Sequence, residues 1–200
     1  LTFKSIPNLK SLLLVFLMSF AGTFAASAQT ELSGFENETM KKVLSCRNEV
    51  VDAFDNFLLT NRLNVGQLFD TFYIPIPGTA PQKFRTQYDS VAEEVLRIIL
   101  DKYLEMDKRF LYVVAVDRNG YVPTHNSKYS MPLTADVAYN TEHNRTKEMF
   151  NDRTGLAAAR NTNAFLLQRY GRDNGESGHD LSVPIYIRGK HWGAIRLGYK

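Results

Sequence analysis

Residues 110–126, FLYVVAVDRNGYVPTHN, constrain the fold more than any other stretch of this chain. Leu111 to Val116 is a run of apolar and β-branched residues, the composition of a buried strand. Asp117, Arg118, Asn119 and Gly120 then supply a turn, because Asn-Gly readily takes the positive φ values that a tight hairpin needs. Tyr121, Val122 and Thr124 resume an extended pattern. The chain before this hairpin reads as targeting signal and helix, and most of the chain after it reads as strand. The hairpin is therefore expected to open an antiparallel sheet.

In front of it lie two helical patterns. From Glu31 to Thr60 the apolar residues Met40, Val43, Leu44, Val50, Val51, Phe54, Phe57 and Leu58 fall three and four apart, which predicts one long helix. Val43, Cys46, Val50, Ala53 and Phe57 also fit a short coiled-coil seam, so a homodimer through Glu31–Thr60 with Cys46 beside its own copy is one expectation. Packing of the helix on its own domain is the other. A turn or two of helix is expected within residues 64–73. Ile74-Pro75-Ile76-Pro77-Gly78 cannot continue a helix, since its prolines lack amide donors. A second helix is read from Phe84 to about Asp107, with Phe84, Tyr88, Val91, Val95, Ile98 and Ile99 as its apolar stripe.

Residues 1–28 have the order of a secretory signal: Lys4 and Lys10, the apolar run Leu12 to Phe20, and Ala26-Ser27-Ala28 as a cleavage site. Export is expected, to the periplasm or beyond the cell. The alternative is an uncleaved anchor, because Ser11 to Thr30 is uncharged and about long enough to span a bilayer. With 24 Lys and Arg against 21 Asp and Glu, and no basic cluster, nothing points to nucleic acid. The only cysteine excludes an intramolecular disulfide and covalent haem attachment. Four histidines without a close pair form no recognisable metal motif, and no cofactor is expected.

Beyond the hairpin, residues 126–140 have loop composition. Glu142 to Phe150 and Thr154 to Arg160 read as short helices, with Asp152 as a cap for the second. Ala164 to Tyr170, Asp180 to Ile187 and Trp192 to Tyr199 read as strands joined by turns at Arg172–Gly175 and Arg188–Lys190. Pro184 argues for an edge or a bulge in the middle strand. The expected class is thus α+β: a five-stranded antiparallel sheet with a helical crossover and long helices in front, the order of a PAS-like or Cache-like sensor. The expected division is a signal peptide (1–28), an N-terminal helical segment (29–67) and a sensory domain (68–200).

Four blocks carry a resemblance: FDTFYIPIPGTAPQKFRTQYD, AVDRNGYVPTHNSKYSMPLT, HNRTKEMFNDRTGLAAARNTNAFLLQRYGRD and HDLSVPIYIRGKHWGAIRLGYK. From about Leu68 to Tyr199 the chain resembles the PAS-like sensory region of methyl-accepting chemotaxis proteins and related bacterial signalling proteins. The resemblance implies a sensory fold without naming a ligand. The sequence shows no HAMP-like linker or signalling hairpin after Tyr199, so the expectation is either that signalling needs a membrane partner or that only the sensory part of a receptor has been kept.

In such folds a small ligand sits between the sheet and the crossover. Tyr121, His125, Arg145, Arg153, Arg160, Asn161, Tyr170, Asp180 and Trp192 are the polar candidates. Arg153 and Arg160 lead them, because a guanidinium is a planar fork matched to a carboxylate or phosphate, which suggests a small anionic metabolite. The structural alternatives are that Arg153 pairs with Asp152 or Asp180 to pin the loop, and that Trp192 is a core aromatic. No nucleophile motif or phosphate loop is present, and His179 and Asp180, adjacent on a strand, point to opposite faces. An enzyme on this scaffold, or an interaction module working through the N-terminal helix, are the competing functions. Turnover of a bound metabolite would mark the first, and dimerisation without ligand the second.

Overall fold

The computed structural model describes residues 31–171 and 177–200, with the side chains of 170, 171 and 177 left aside; the expected signal peptide and the Arg172–Gly175 turn lie outside the described residues. Helix α1 (Gly34–Leu59) starts on a capping box. The Glu36 N–H donates to Ser33 Oγ at 3.2 Å and the Ser33 N–H to Glu36 Oε2 at 2.7 Å. A single turn, α2 (Val65–Leu68), and a small hairpin of β1 (Ile74–Ile76) and β2 (Lys83–Arg85) come next. Helix α3 (Asp89–Leu104) begins later than the sequence suggests, because Phe84 is taken up by β2. Its buried face is Tyr88, Ala92, Leu96, Leu100 and Tyr103, while Ile98 is 73% exposed. The expected stripe was rotated by its reliance on β-branched residues. No helix among the described residues is long and apolar enough to cross a membrane.

Strand β3 (Phe110–Asp117) ends in the expected turn, where Gly120 takes φ 86°. The central sheet has four strands, in the order β3, β8 (Lys190–Tyr199), β7 (Ser177–Ile187), β6 (Leu166–Gly171), all antiparallel. The expected fifth strand, β4, is only Tyr121–Val122 and pairs with β5 (Glu148–Met149) instead. That pairing replaces the helix expected over Glu142–Phe150. The crossover helix stands earlier, as α4 (Val137–His143), followed by α5 (Arg153–Arg160), whose N-cap Asp152 accepts from the Thr154 and Gly155 amides. Pro184 is tolerated because β6 begins opposite Ser182, so at Pro184 only β8 lies alongside.

One face of the sheet packs on α1 and α3. There Leu181, Val183, Ile185, Ile195 and Leu197 meet Val43, Cys46, Val50, Phe54, Leu96 and Leu100 in one buried cluster. The other face, with Val114, Val116 and Ala194, meets Val122, Phe150 and Ala159 of the crossover. At the end of the sheet the Tyr199 hydroxyl donates to Glu36 Oε1 at 2.9 Å, joining the last strand to the first turn of α1.

The seam proposed for a second copy is thereby corrected. Val43, Cys46, Val50 and Phe57 are at most 1% exposed and face the chain's own core. Burial, more than any neighbouring charge, pushes the Cys46 thiol up. The expected homodimer through Glu31–Thr60 cannot use this seam while the domain is folded. Folded protein should accordingly run as a monomeric band on non-reducing electrophoresis after mild oxidation, and Cys46 should react with a thiol reagent only once denaturant is added. Fast labelling in native buffer would contradict its placement.

Candidate functional site

The sheet face turned to the crossover carries a polar cluster among its small apolar residues. Gly198 and Arg196 on β8, Asp180 and Ser182 on β7 and Tyr112 on β3 share that face, as the alternation of side chains along paired strands requires. Asp180 is fully buried and Arg196 7% exposed. Asp180 Oδ2 accepts from Arg196 Nε at 3.0 Å, from its Nη2 at 2.7 Å, and from the Tyr112 hydroxyl. A glycine is needed opposite, since a Cβ on Gly198 would come within 2.3 Å of the Tyr112 ring. Burial works against the Arg196 charge, but the neighbouring Asp180 and Tyr112 more than offset it and raise its pKa. Among the described residues the second carboxylate oxygen, Asp180 Oδ1, is buried without a hydrogen-bond partner. An unmatched buried acceptor costs about 1–3 kcal/mol, more when charged, so it marks a place where a donor is wanted.

Above this cluster the segment after β4 is tied down by Asn126. Its side-chain oxygen accepts from the Val113 N–H of β3 at 2.8 Å, and its amide nitrogen donates to Asp101 of α3 at 3.2 Å. That anchor holds His125 with its ring edge-on to Tyr112 and Tyr129, centroids 6.2 and 4.8 Å away. His125 is 6% exposed. Burial first, then the charges of Arg145, Lys128, Arg196 and Lys83, push its pKa well down. The imidazole is thus neutral beside four cations, three of which are already paired with a carboxylate. Two of these belong to the crossover's own bracing: Lys83 Nζ meets Glu148 Oε1 at 2.6 Å and the Asn144 carbonyl at 2.6 Å, and Arg145 Nε meets Glu148 Oε2 at 3.0 Å.

A group whose folded pKa is depressed binds fewer protons folded than unfolded below its ordinary range. His125 should therefore make the domain lose stability as pH falls below about 6.5, the unperturbed imidazole value. Urea unfolding at pH 7 and pH 5 checks this, and His125→Gln should shrink the difference.

Of the residues singled out in the sequence, the structure brings His125, Asp180 and Arg145 to this region. The others stand elsewhere. Arg153 and Arg160 are exposed on the outer side of α5, whose buried residues are Gly155, Ala158 and Ala159. Arg160 Nε only approaches the Arg118 carbonyl, at 3.4 Å. The partly buried position expected for both arginines is not what the helix gives them. Asn161 caps α5 and holds the Asn163 N–H at 3.1 Å. Tyr121 belongs to a separate buried network, its hydroxyl within 2.9 Å of Asp89 Oδ2 and of the Phe84 carbonyl. In the same network Tyr88 reaches Asp117 Oδ2 at 3.1 Å, and burial raises the pKa of both aspartates against their hydrogen bonds. Tyr170 lies on β6, paired with Gly178, and its side chain falls outside the described part.

Trp192, a ligand candidate in the sequence, stands on the helix side of the sheet. A register shift between Ile185 and Tyr186 leaves Trp192 as the extra residue between His191 and Gly193, so the alternation breaks there. Its indole turns to the helices, packs on Phe54 and Tyr88, and donates Nε1–H to the Leu68 carbonyl at 2.9 Å. It is a core residue.

Tyr112, Tyr129, Lys128 and Arg196 were missed in the sequence. For Arg196 a signal existed: it is the one charge inside the otherwise uncharged stretch Trp192–Tyr199, at a position whose neighbours in the pattern face a core. A separate cleft of about 420 Å3 lies beside α3, bordered by Glu93, Glu94, Arg97, Ile98 and Asp101. Its charges are already engaged, Glu93 by Arg97 and Lys147, Glu94 by Arg62, and Asp101 by Ser127. Among the described residues no group of three or more potential metal ligands comes together.

No family model matches the chain, and no curated protein does. Solved structures do. An extracellular ligand-binding receptor from Desulfohalobium retbaense is 14% identical, with TM-score 0.37 over 85% of this chain and 26% of that one. The ligand-binding domain of the Campylobacter jejuni chemoreceptor Tlp3 in complex with L-norvaline is 16% identical, with TM-score 0.41 over 84% of this chain and 63% of that one. The Tlp3 sensory domain with isoleucine bound gives 15%, 0.38, 84% and 64%. The chain spans less than two thirds of the length of each.

Proposed function

We propose that this chain is an exported ligand-sensing domain that binds a small metabolite between its sheet and its crossover and acts through a membrane signalling partner. The single observation behind the reading is Asp180 Oδ1, a buried carboxylate oxygen left without a donor among the described residues, beside a buried guanidinium. A purely structural ion pair has no need of such an unmatched acceptor. The order of the sheet, with a crossover lying over one face, gives the ligand a place. Arg196 uses Nε and Nη2 on Asp180 and Arg145 uses Nε on Glu148, so their remaining guanidinium N–H groups favour an anionic group on the ligand, and Asp180 favours an N–H or O–H on the same molecule. A small carboxylate that also carries an amino or hydroxyl group satisfies both. The anionic ligand expected in the sequence is kept, while its charge partners become Arg196 and Arg145 in place of Arg153 and Arg160. Export rests on the residue pattern of positions 1–28.

A thermal-shift screen of amino acids, hydroxy acids, plain carboxylates and amines tests this. A ligand at a hundred times its dissociation constant stabilises the fold by about 2.7 kcal/mol, which for a domain of this size raises Tm by roughly 5–10 °C. Compounds with both groups should shift most. A response to amines alone would remove the anionic part of the reading, and turnover of a bound compound would favour an enzyme.

A further inference from the structure

We infer that His125 is a specificity-determining donor, fixed as the Nε2–H tautomer so that it reads a carboxylate or carbonyl oxygen of the ligand. This rests on the ligand-sensing role proposed above and assigns one of its contacts. The tautomer follows from geometry. The Asn126 N–H donates to His125 Nδ1 at 2.8 Å, so Nδ1 must offer a lone pair. A neutral imidazole has one N–H, which is then on Nε2. The alternative, protonation of both nitrogens, would set the ring N–H against the Asn126 N–H, and it would place a cation in a buried position already surrounded by Arg145, Lys128, Arg196 and Lys83.

Among the described residues Nε2 has no hydrogen-bond partner, and the two rings beside it, Tyr112 and Tyr129, meet His125 edge to face. The Tyr129 hydroxyl is turned to the Leu111 carbonyl, at 3.3 Å, and Tyr112 is turned to Asp180. The backbone that aims the ring is fixed too, because the Asn126 side chain bridges β3 and α3. The site thus offers a donor on a buried ring, His125 Nε2–H, and a buried acceptor unmatched among the described residues, Asp180 Oδ1. They discriminate in opposite senses. Asp180 rejects a ligand that lacks an N–H or O–H, since that absence leaves its buried oxygen unpaired, and His125 favours one that carries an acceptor oxygen over one that lacks it.

Three probes separate the two contacts: L-norvaline, pentanoate, which lacks its amino group, and n-butylamine, which lacks its carboxylate. Their affinities are measured by calorimetry on the wild type, His125→Phe and His125→Gln. Long-range 1H–15N spectra of the free protein at pH 7 give the tautomer directly. The expected spectrum is that of a neutral Nε2–H imidazole. His125→Phe should weaken L-norvaline and pentanoate about tenfold or more, the loss of one charge-assisted hydrogen bond, and leave n-butylamine unchanged. His125→Gln, which keeps an N–H donor, should retain most of the L-norvaline affinity. An Nδ1–H or doubly protonated ring overturns the proposal, as does equal L-norvaline affinity in wild type and His125→Phe, and both leave the sensing role standing. A wild type that binds none of the three overturns the sensing of small carboxylates and this contact with it. Should His125→Phe fail to fold, the spectrum and His125→Gln still decide.

Discussion

Arg196→Met should destabilise the domain by about 3–5 kcal/mol, the cost of leaving one member of a buried ion pair without the other. The side chain is nearly isosteric with the arginine stem, so packing is kept and the charge alone is removed. Asp180, fully buried and left with the Tyr112 hydroxyl, then holds an uncompensated carboxylate. The double variant Arg196→Met/Asp180→Leu should recover most of the loss, because a buried pair replaced by apolar residues of similar volume is often neutral. Urea unfolding of the wild type, Arg196→Met, Asp180→Leu and the double variant, with the slope checked for constancy, gives the coupling between the two residues. A single-variant cost below about 1 kcal/mol would mean that water reaches the pair and that it is an ordinary surface bridge. The cycle also bears on the ligand site: the double variant should be stable and blind to ligand, a combination that a purely structural pair would not produce.

Trp192→Ala should cost a similar amount, about 3–5 kcal/mol, for a different reason. The indole is 1% exposed among Phe54 and Tyr88, and its removal opens a cavity in a core that α1, α3 and the sheet share. Trp192→Phe should fill most of that volume but strand the Leu68 carbonyl, for about 1–3 kcal/mol. Neither change should alter ligand affinity in protein that remains folded, since the ring faces the helices and the site faces the crossover. A loss of affinity in Trp192→Phe without a loss of stability would put the tryptophan back on the ligand face.

The elements were largely legible in the sequence, and the faces were not. The strands at Phe110–Asp117, Ser177–Ile187 and Lys190–Tyr199 and the helices at Gly34–Leu59 and Arg153–Arg160 arise from apolar periods, caps and an Asn-Gly turn, all local signals. The errors came where a local period meets an irregularity or a partner distant in sequence. Strict alternation would set Trp192 on the face of Arg196, and a single extra residue in β8 reverses it. Tyr121–Val122 looked like a second hairpin arm because its partner, Glu148–Met149, lies far along the chain and has no strand composition. The arginines of α5 could have been placed correctly. They are seven residues apart, so they share one side of the helix, and the small residues Gly155, Ala158 and Ala159 mark the opposite side as the one that approaches a neighbour. Small residues, more than charges, identified the buried side. Asp180 and Arg196 could be paired only through the register of β7 with β8, which no spacing in either strand reveals.

The bond between Tyr199 and Glu36 has a consequence for how the domain can be handled. It places the first turn of the first helix against the Tyr199 ring at the end of the last strand, so the stretch entering α1 at Ser33 and the stretch leaving β8 lie at one end of the fold. A unit whose two ends emerge together can be set into a host loop, or have its ends joined by a short linker and be reopened elsewhere, without stretching any element. The exposed stretch Met131–Asp136, between the 3-10 turn at Ser127–Tyr129 and α4, is the natural place to reopen it. The domain is in this sense a transplantable cassette, and the Tyr199 hydroxyl is its clasp.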